Sequence, residues 1–437
     1  MSQLVDFITF IGAVETLLLL IFAARFYLFT YVALKFGAST ITSNETSFHN
    51  LAHSRYDFDE PFISVLLAVY NEKNVINRLL DFCTNFDYPS YEVIVIDDST
   101  DETTELLAKW KDHPRVKIIH RSSRKGWKGG ALNVGIDKLD PRSMYSLVLD
   151  ADFVPPSDLL QRFIERFNND KVTVVQGYQV HDLNAEENWI TKGYRVMFSV
   201  SNMIELIARN KLKLLLPITG SVYMIRTDVL KKMRFNECLT EDWDLTLRLY
   251  EAGYKVVYDP TLRASAECPD TLSKYFVQNM RWAEGHTRSA FRQHFWKMLK
   301  SEFLTRREKV DFFFHAGIYL NSILILASSI GGILVLLSSP ITLILTINYV
   351  SMALMFVAIG FPSLIIASIV ALSSENQKGD FGKIPNLLIL GYISTPVVAY
   401  AALKGLLSDK IFFHRTYKTG KVTKRALLSE LKKLFRR

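Results

Sequence analysis

Hydrophobic positions are concentrated at the two ends of the chain, and short apolar runs alternate with mixed segments between them. Phe7 to Leu34 is apolar except for Glu15, Arg25 and a few hydroxyls. A helix needs ~20 apolar residues to cross a bilayer, so this stretch predicts a first span, grouped here as residues 1–36. It is longer than a signal-peptide core, lacks a basic start and precedes no small-residue cleavage site, so it is expected to be retained. Glu15 is costly in lipid. It is expected either to face another helix or the interface, or to line a substrate path. Residues 37–60 form a polar connector.

From 61 to 270 the pattern changes. Ile63–Val69, Tyr91–Ile96, Val116–Ile119, Ser146–Leu149 and Val172–Val175 are short runs rich in β-branched residues. Runs of this kind predict strands buried on both faces of a parallel sheet. Asn74–Phe86 and Glu102–Lys111 are long enough for crossover helices. The expectation is a doubly wound α/β domain with its ligand beyond the carboxyl ends of the strands. Residues 271–310 read as amphipathic helices suited to a membrane interface, and 311–407 turns apolar again. Phe312–Leu337 is one predicted span, ended by Ser338-Ser-Pro340. Ile341–Leu372 is a long second run containing Gly360-Phe-Pro362. Pro385–Leu407 is a third, interrupted by Pro396.

Charge gives an expected sidedness. The chain of 437 residues has 52 Lys+Arg and 44 Asp+Glu, net +8. Residues 408–437 hold ten basic and two acidic side chains, so this tail accounts for the whole excess. The rest is balanced, which excludes a nucleic-acid footprint spread over a domain. A basic tail after an apolar segment is expected on the cytoplasmic side. A low-charge N-terminus is expected outside, which puts the α/β domain in the cytoplasm too. Both conditions need an even number of crossings after the domain, hence two readings: 341–372 splits at Gly360–Pro362, giving four spans, or 385–407 does not fully cross. A hydrophobic fraction of 49% with 22% charged residues excludes a disordered chain. Cys83, Cys238 and Cys268 are too few and scattered for a disulfide framework or thiolate metal site.

The acids collect at predicted strand ends. Asp97-Asp98-Ser99-Thr100-Asp101 follows the second strand, and Asp150-Ala-Asp152 the fourth. Carboxylates at i and i+2 face one side of an extended segment. They can offer oxygen ligands to Mg2+ or Mn2+, hard cations commonly shared with substrate phosphates. Gly126-Trp-Lys128-Gly129-Gly130 precedes an apolar run. It suggests a loop entering a helix N-terminus where a diphosphate can sit, with Lys128 as a point charge. No Walker or dinucleotide fingerprint is present, so a P-loop or dehydrogenase reading lacks its key residues. Thr240 can cap a helix that begins with Glu241 and Asp242, and a carboxylate there can act as general base toward an acceptor hydroxyl. Gln278, Arg281 and Trp282 share one helical face, where Arg can hold phosphate and Trp can stack on a sugar ring. Arg288, Arg292, Trp296 and Lys297 continue that helix with a pattern suited to a membrane surface.

Ala68-Val-Tyr-Asn-Glu72, Asp97–Asp101, Asp150-Ala-Asp152, Thr240-Glu-Asp242 and Gln278-x-x-Arg281-Trp282, in that order, closely resemble the membrane-integrated family-2 glycosyltransferases. These include cellulose, mannan and hyaluronan synthases and ceramide glucosyltransferase. The resemblance covers about 61–290 and the layout of spans around it. It implies a nucleotide-sugar-binding α/β domain of GT-A type joined to a helical transmembrane region. Asp98, Tyr70 and Glu72 are then expected to hold the nucleoside, with Lys128 and Asp150 also on the donor. Asp150 and Asp152 are expected to meet metal and diphosphate. Asp242, beside Glu241, becomes the base, and Gln278, Arg281 and Trp282 close over diphosphate and acceptor. His286 and Thr416–Gly420 resemble flanking or gating elements. The implied reaction is inverting transfer from a UDP- or GDP-sugar to a growing β-linked polysaccharide or oligosaccharide. Transfer of a single sugar to a lipid acceptor, making a glycolipid or polyprenyl-phosphate sugar, is the alternative. Either places a multi-pass enzyme in the membrane with its catalytic domain facing the cytoplasm.

Overall fold

The computed structural model describes residues 2–51, 60–167, 172–337, 343–409 and 418–423. The first helix, α1 (Ser2–Leu51), contains the apolar N-terminal stretch and continues helically through most of the polar connector. The α/β region then runs β1 (Phe62–Val69), α2 (Ile76–Cys83), β2 (Tyr91–Asp97), α3 (Thr103–Ala108), β3 (Val116–His120), α4 (Trp127–Ile136), β4 (Ser143–Leu149) and α5 (Leu159–Ile164). It continues through β5 (Val174–His181), α6 (Trp189–Val200), α7 (Ile207–Leu212), β6 (Tyr223–Arg226), α8 (Thr227–Met233), α9 (Glu241–Glu251) and β7 (Val256–Ala266). A π-helical turn, Ser201–Leu206, joins α6 to α7.

The seven strands form one sheet in the order β3-β2-β1-β4-β6-β5-β7. β1, β2, β3 and β4 pair in parallel. β6 runs antiparallel to both β4 and β5, so the sheet is mixed and not parallel throughout. The short β6 and the long β7 were not expected from the hydrophobic pattern. Tyr-Met-Ile-Arg is too brief a run to stand out, and β7 is interrupted by Asp259, Pro260 and Thr261.

Side chains alternate between the sheet faces, and both faces are covered. Ile63, Val65, Leu67, Val93 and Val95 pack on one side under α2, and Leu66, Ile94 and Ile96 pack on the other. The second layer does not end at the domain boundary. It continues into Phe29, Val32 and Ala33 of α1, and these residues are buried.

After β7 come α10 (Leu272–Thr287), a π-helical turn at Arg288–His294, α11 (Phe295–Lys300) and α12 (Arg306–Ala316). Trp296, Phe303, Val310 and Phe313 are exposed along this stretch. Then follow α13 (Asn321–Leu337), α14 (Leu343–Ser374) and α15 (Ile384–Leu407). Ala367, Ala371 and Leu372 of α14 and Ile384 and Leu387 of α15 join the second core layer. Three helical stretches among the described residues are long and apolar enough to cross a membrane: Ala13–Gly37, Arg306–Ile330 and Lys378–Leu407.

The prolines do not act as breaks. α14 passes through Gly360–Pro362 and α15 through Pro396 without interruption. Neighbouring groups and adjusted geometry absorb the lost amide of a proline in an apolar helix. The break expected at Ser338–Pro340 lies outside the described residues, as do residues 410–417 and 424–437 of the basic tail.

Candidate active site

Tyr70, Glu72, Asp98, Lys128, Asp150, Asp152, Glu241, Asp242, Gln278, Arg281 and Trp282, expected from the sequence to bind or react, all line one cavity of about 410 Å3 at the carboxyl ends of the central strands. The topology explains the convergence. β1, β2 and β4 end side by side and deliver Tyr70 and Glu72, Asp98, and Asp150 and Asp152 respectively. The start of α9 brings Glu241 and Asp242 to the same cavity, and α10 brings Gln278, Arg281 and Trp282.

The loop after β1 is held in shape by local bonds. Asn71 takes a left-handed conformation, φ 57°, which asparagine tolerates better than most residues. Its amide donates to Ser99 Oγ at 2.7 Å, and Thr100 N–H donates to Asn71 Oδ1 at 2.7 Å. The Arg124 guanidinium lies 3.5 Å from the centre of the Tyr70 ring. Asp98 is buried and gripped at both oxygens by Arg121, whose Nε donates to Oδ1 at 2.6 Å. Arg121 was not singled out from the sequence. It lies directly after β3, whose register against β2 sets it beside Asp98.

The glycines before α4 serve packing in the first place. Gly126, φ 72°, precedes the helix, while Gly129 and Gly130 lie inside its first turn. A Cβ on Gly130 would meet the Lys125 carbonyl oxygen at 2.1 Å, and one on Gly129 would meet Asn236 O at 3.0 Å. Gly130 lets the preceding loop fold back onto the helix, and Gly129 lets α4 press against the segment leading into α9. That approach carries Lys128 into the acids, 2.5 Å from Asp150 Oδ1 and 3.5 Å from Glu241 Oε1, with Gly220 O accepting at 2.7 Å. Burial opposes its charge, but Asp150 and Glu241 outweigh burial and tighten its hold on the proton.

Residues 217–221 were also missed. Gly220, φ 87°, backs onto Asp242, and a Cβ there would sit 3.0 Å from Asp242 Oδ2. Ser221 Oγ accepts from Asp150 N–H at 2.9 Å. Gln176 and Gln179 of β5 fix this loop by donating to Ser221 O at 3.0 Å each. Only the antiparallel placement of β6 brings the loop here, and short-range patterning does not reveal that.

Asp242 is the most perturbed acid. Burial, then the charge of Glu241, pushes its carboxyl up to about 7, against the opposing pull of Lys128, the Trp243 amide and Arg281. Trp243 N–H donates to Asp242 Oδ1 at 2.9 Å. The expected cap at Thr240 is a correction: its hydroxyl makes no capping bond, though Thr240 occupies the N-cap position. The uneven leucine spacing of α9 is also resolved, because Leu245, Leu247 and Leu249 are all fully buried in a helix covered nearly all round.

The C-terminal segment 418–423 returns to the cavity. Lys418 Nζ lies 2.7 Å from Asp152 Oδ2. The Thr419 and Gly420 amides donate to Glu267 Oε2 at 3.0 and 3.2 Å, and Arg78 holds the other oxygen of Glu267 at 2.8 Å. Burial of Asp152 raises its proton affinity, but Lys418 more than offsets this and holds the carboxyl low. Thr416 and Tyr417 lie outside the described residues.

The donor set suits a divalent cation in one manner only. Asp150 and Asp152 each attract an ammonium group in the cavity. Beside them His181 donates from Nδ1 to Glu267 O at 3.0 Å, and its buried Nε2 has no hydrogen-bond partner among the described residues. Burial pushes that imidazole down to about 3, so it stays neutral. No cluster of three or more His, Cys, Asp or Glu side chains placed to hold a metal occurs among the described residues. The arrangement therefore fits a cation held by one or two carboxylates together with substrate phosphates, not a cage made wholly of protein.

A family described as glycosyltransferase like family 2 matches residues 61–285. Among curated relatives, a beta-monoglucosyldiacylglycerol synthase of Nostoc sp. is 33% identical over 234 residues, 52% of this chain and 49% of the relative. A probable glucomannan 4-beta-mannosyltransferase of Oryza sativa is 28% identical over 237 residues, 52% of this chain and 40% of the relative. The chain thus spans about half the length of the curated relatives it matches. Among solved structures, a mannosyltransferase from Pyrobaculum calidifontis in complex with GDP-Man and Mn2+ aligns with a TM-score of 0.51 at 18% identity, covering 87% of this chain and all of that one. At that identity the likeness concerns the fold: a GT-A-like mixed α/β sheet.

Proposed function

The chain belongs to glycosyltransferase like family 2, and from that premise we propose that it is a membrane-embedded inverting glycosyltransferase. It moves a sugar from a UDP- or GDP-linked donor to a hydroxyl of a glycan or lipid acceptor. The observation that carries this reading is Asp242, a half-buried carboxyl raised to about 7, in one cavity with Asp150, Asp152 and Arg281. A general base works best when its pKa lies near the working pH.

In the proposed step the acceptor oxygen attacks C1 of the donor sugar and its proton passes to the Asp242 carboxylate. The new C1–O bond forms as the bond from C1 to the phosphate oxygen breaks, and that electron pair leaves on the nucleoside diphosphate. Attack from the opposite face inverts the anomeric centre. Tyr70, Glu72 and Asp98 take the nucleoside end, and Lys128 and Lys418 stand as fixed positive charges where diphosphate charge builds up. Asp150 and Asp152 are the residues that would hold Mg2+ or Mn2+, which when bound neutralises charge on the leaving diphosphate. Gln278 is held by Tyr194, whose hydroxyl donates to Oε1 at 2.9 Å, and with Arg281 and Trp282 it covers the acceptor side. The apolar helices and the basic tail support a multi-pass protein with this domain in the cytoplasm.

The test is release of nucleoside diphosphate by the purified full-length protein across a panel of UDP- and GDP-sugars with Mn2+ or Mg2+. Release with at least one donor, lost in Asp242→Asn, is the expected result. No release with any donor overturns the reading.

A further inference from the structure

Beside Asp242, Thr240, Trp243 and His286 form one corner of the cavity lining, each more than nine-tenths buried. The His286 ring lies parallel to Trp243, with centroids 4.5 Å apart and planes 10° apart. Gly285 permits this, since a Cβ there would meet Thr240 Cγ2 at 2.6 Å. The corner has an unusual polar inventory. Thr240 Oγ1, Trp243 Nε1 and both ring nitrogens of His286 are buried and make no hydrogen bond among the described residues. Buried polar atoms are almost always paired. Four unpaired atoms on three adjacent side chains, all lining one cavity, are what a ligand-binding socket looks like before its ligand arrives.

We infer that this corner is the acceptor-binding socket, and that the acceptor presents a neutral, polyhydroxylated group there: a sugar ring or a glycerol-like headgroup, not a phosphate. The inference rests on the glycosyltransferase reading and names its acceptor class.

The chemistry of the four atoms makes the choice. Trp243 Nε1 only donates, and Thr240 Oγ1 does both. Burial, and then the charge of Arg209, holds His286 neutral, with its pKa down to about 3. One of its nitrogens therefore donates while the other only accepts. A hydroxyl both donates and accepts, so neighbouring hydroxyls can satisfy the whole set. A phosphate oxygen only accepts and would face the bare lone pair of His286. The surrounding cations are also committed elsewhere. Arg209 is taken by Asp311 at 2.5 Å and Glu205 at 3.1 Å, and it donates to His315 Nδ1 at 2.7 Å. Arg25 pairs with Asp311 at 3.2 Å, and Arg281 donates to Leu239 O at 3.3 Å. Lys128 and Lys418 serve Asp150 and Asp152.

The experiment uses full-length protein in lipid nanodiscs with its best donor and Mn2+, and offers three acceptors: a neutral glycolipid, a soluble oligosaccharide and a polyprenyl phosphate. Transfer to the glycolipid or to the oligosaccharide is expected, and the two arms separate a lipid-borne source from a free glycan. Trp243→Phe and His286→Phe keep the stacked rings but remove the polar atoms. Each should raise the acceptor KM by roughly 3–10-fold, the worth of one hydrogen bond between neutral groups, with donor KM moving less than about 2-fold. His286→Gln, which restores a donor and an acceptor, should recover most of the loss. Transfer to polyprenyl phosphate alone overturns the inference, and so does an unchanged acceptor KM in both phenylalanine variants. Hydrolysis of donor by the wild type with water as acceptor reads the underlying glycosyltransferase assignment separately, so a failure of one is not mistaken for a failure of the other.

Discussion

The Lys418 ammonium lies 2.7 Å from the Asp152 carboxylate, so the last described segment of the chain closes onto the second acid of Asp150-Ala-Asp152. An ammonium and a divalent cation compete for the same carboxylate oxygens. Lys418→Met should therefore tighten Mn2+ binding in the absence of donor, and Asp152→Asn should weaken it. Titration of Mn2+ by electron paramagnetic resonance measures both without turnover. Equal affinity in wild type and Lys418→Met would show that the lysine does not stand in the cation's place.

Asp242→Asn should lower transfer by about 10²–10⁴-fold, the range for loss of a positioned base, while donor binding measured by calorimetry stays close to wild type. The pH dependence follows from the same carboxyl. Only its ionised form accepts a proton, so kcat/KM should rise with pH to a plateau above about 7. Stability should run the opposite way. A carboxyl raised in the folded state favours folding below its unfolded value, and that contribution is lost as pH climbs through the folded value. Melting temperature should fall between pH 5 and 8 less steeply in Asp242→Asn than in wild type, as differential scanning fluorimetry can record.

These acids were legible in the sequence because each follows directly from a strand or opens a helix, so local pattern places it. Asp98 and Asp150 needed only the correct strand ends, and Asp242 only the helix start. Their partners were not legible. Arg121 reaches Asp98 through the β2–β3 register. Gly220 reaches Asp242 because β6 is antiparallel, and His181 reaches the cavity because β5 extends to residue 181, beyond the run that marked its start. These placements depend on pairings between segments distant in sequence, and a single sequence carries no direct record of them. Hydropathy likewise located the C-terminal helices but misjudged Pro362 and Pro396, since a proline's effect depends on what packs around it.

Arg195 of α6 ties the α/β domain to the end of α14. Its Nη2 lies 2.6 Å from Glu375 Oε2, both side chains are buried, and Ser199 Oγ donates to the same oxygen at 2.9 Å. Breaking a buried pair leaves one charge without compensation, at about 3–5 kcal/mol. Arg195→Met should therefore lower the melting temperature markedly. Arg195→Met with Glu375→Leu should recover much of the loss, because replacing both members leaves no stranded charge. A double variant no better than the single would place the stabilisation in the hydrogen bonds that Glu375 accepts from the Ser199 and Tyr178 hydroxyls instead of the ion pair.

Lys128 offers the sharpest separation of roles. It is surrounded by Asp150, Glu241 and Asp242, and its charge is one of the influences restraining the proton affinity of Asp242. Lys128→Met removes that restraint and leaves the mutual repulsion of Glu241 and Asp242 unscreened, so the Asp242 carboxyl should titrate above its present value of about 7. The acid limb of the kcat/KM profile should then move to higher pH, and activity lost at neutral pH should partly return under alkaline conditions. Lys128→Arg keeps the charge and should leave the limb in place, even if the bulkier head weakens donor binding. A purely structural lysine would lower activity at every pH alike. A profile that falls without shifting would therefore remove Lys128 from the control of the base and leave it only a packing role between α4 and the loop at Gly220.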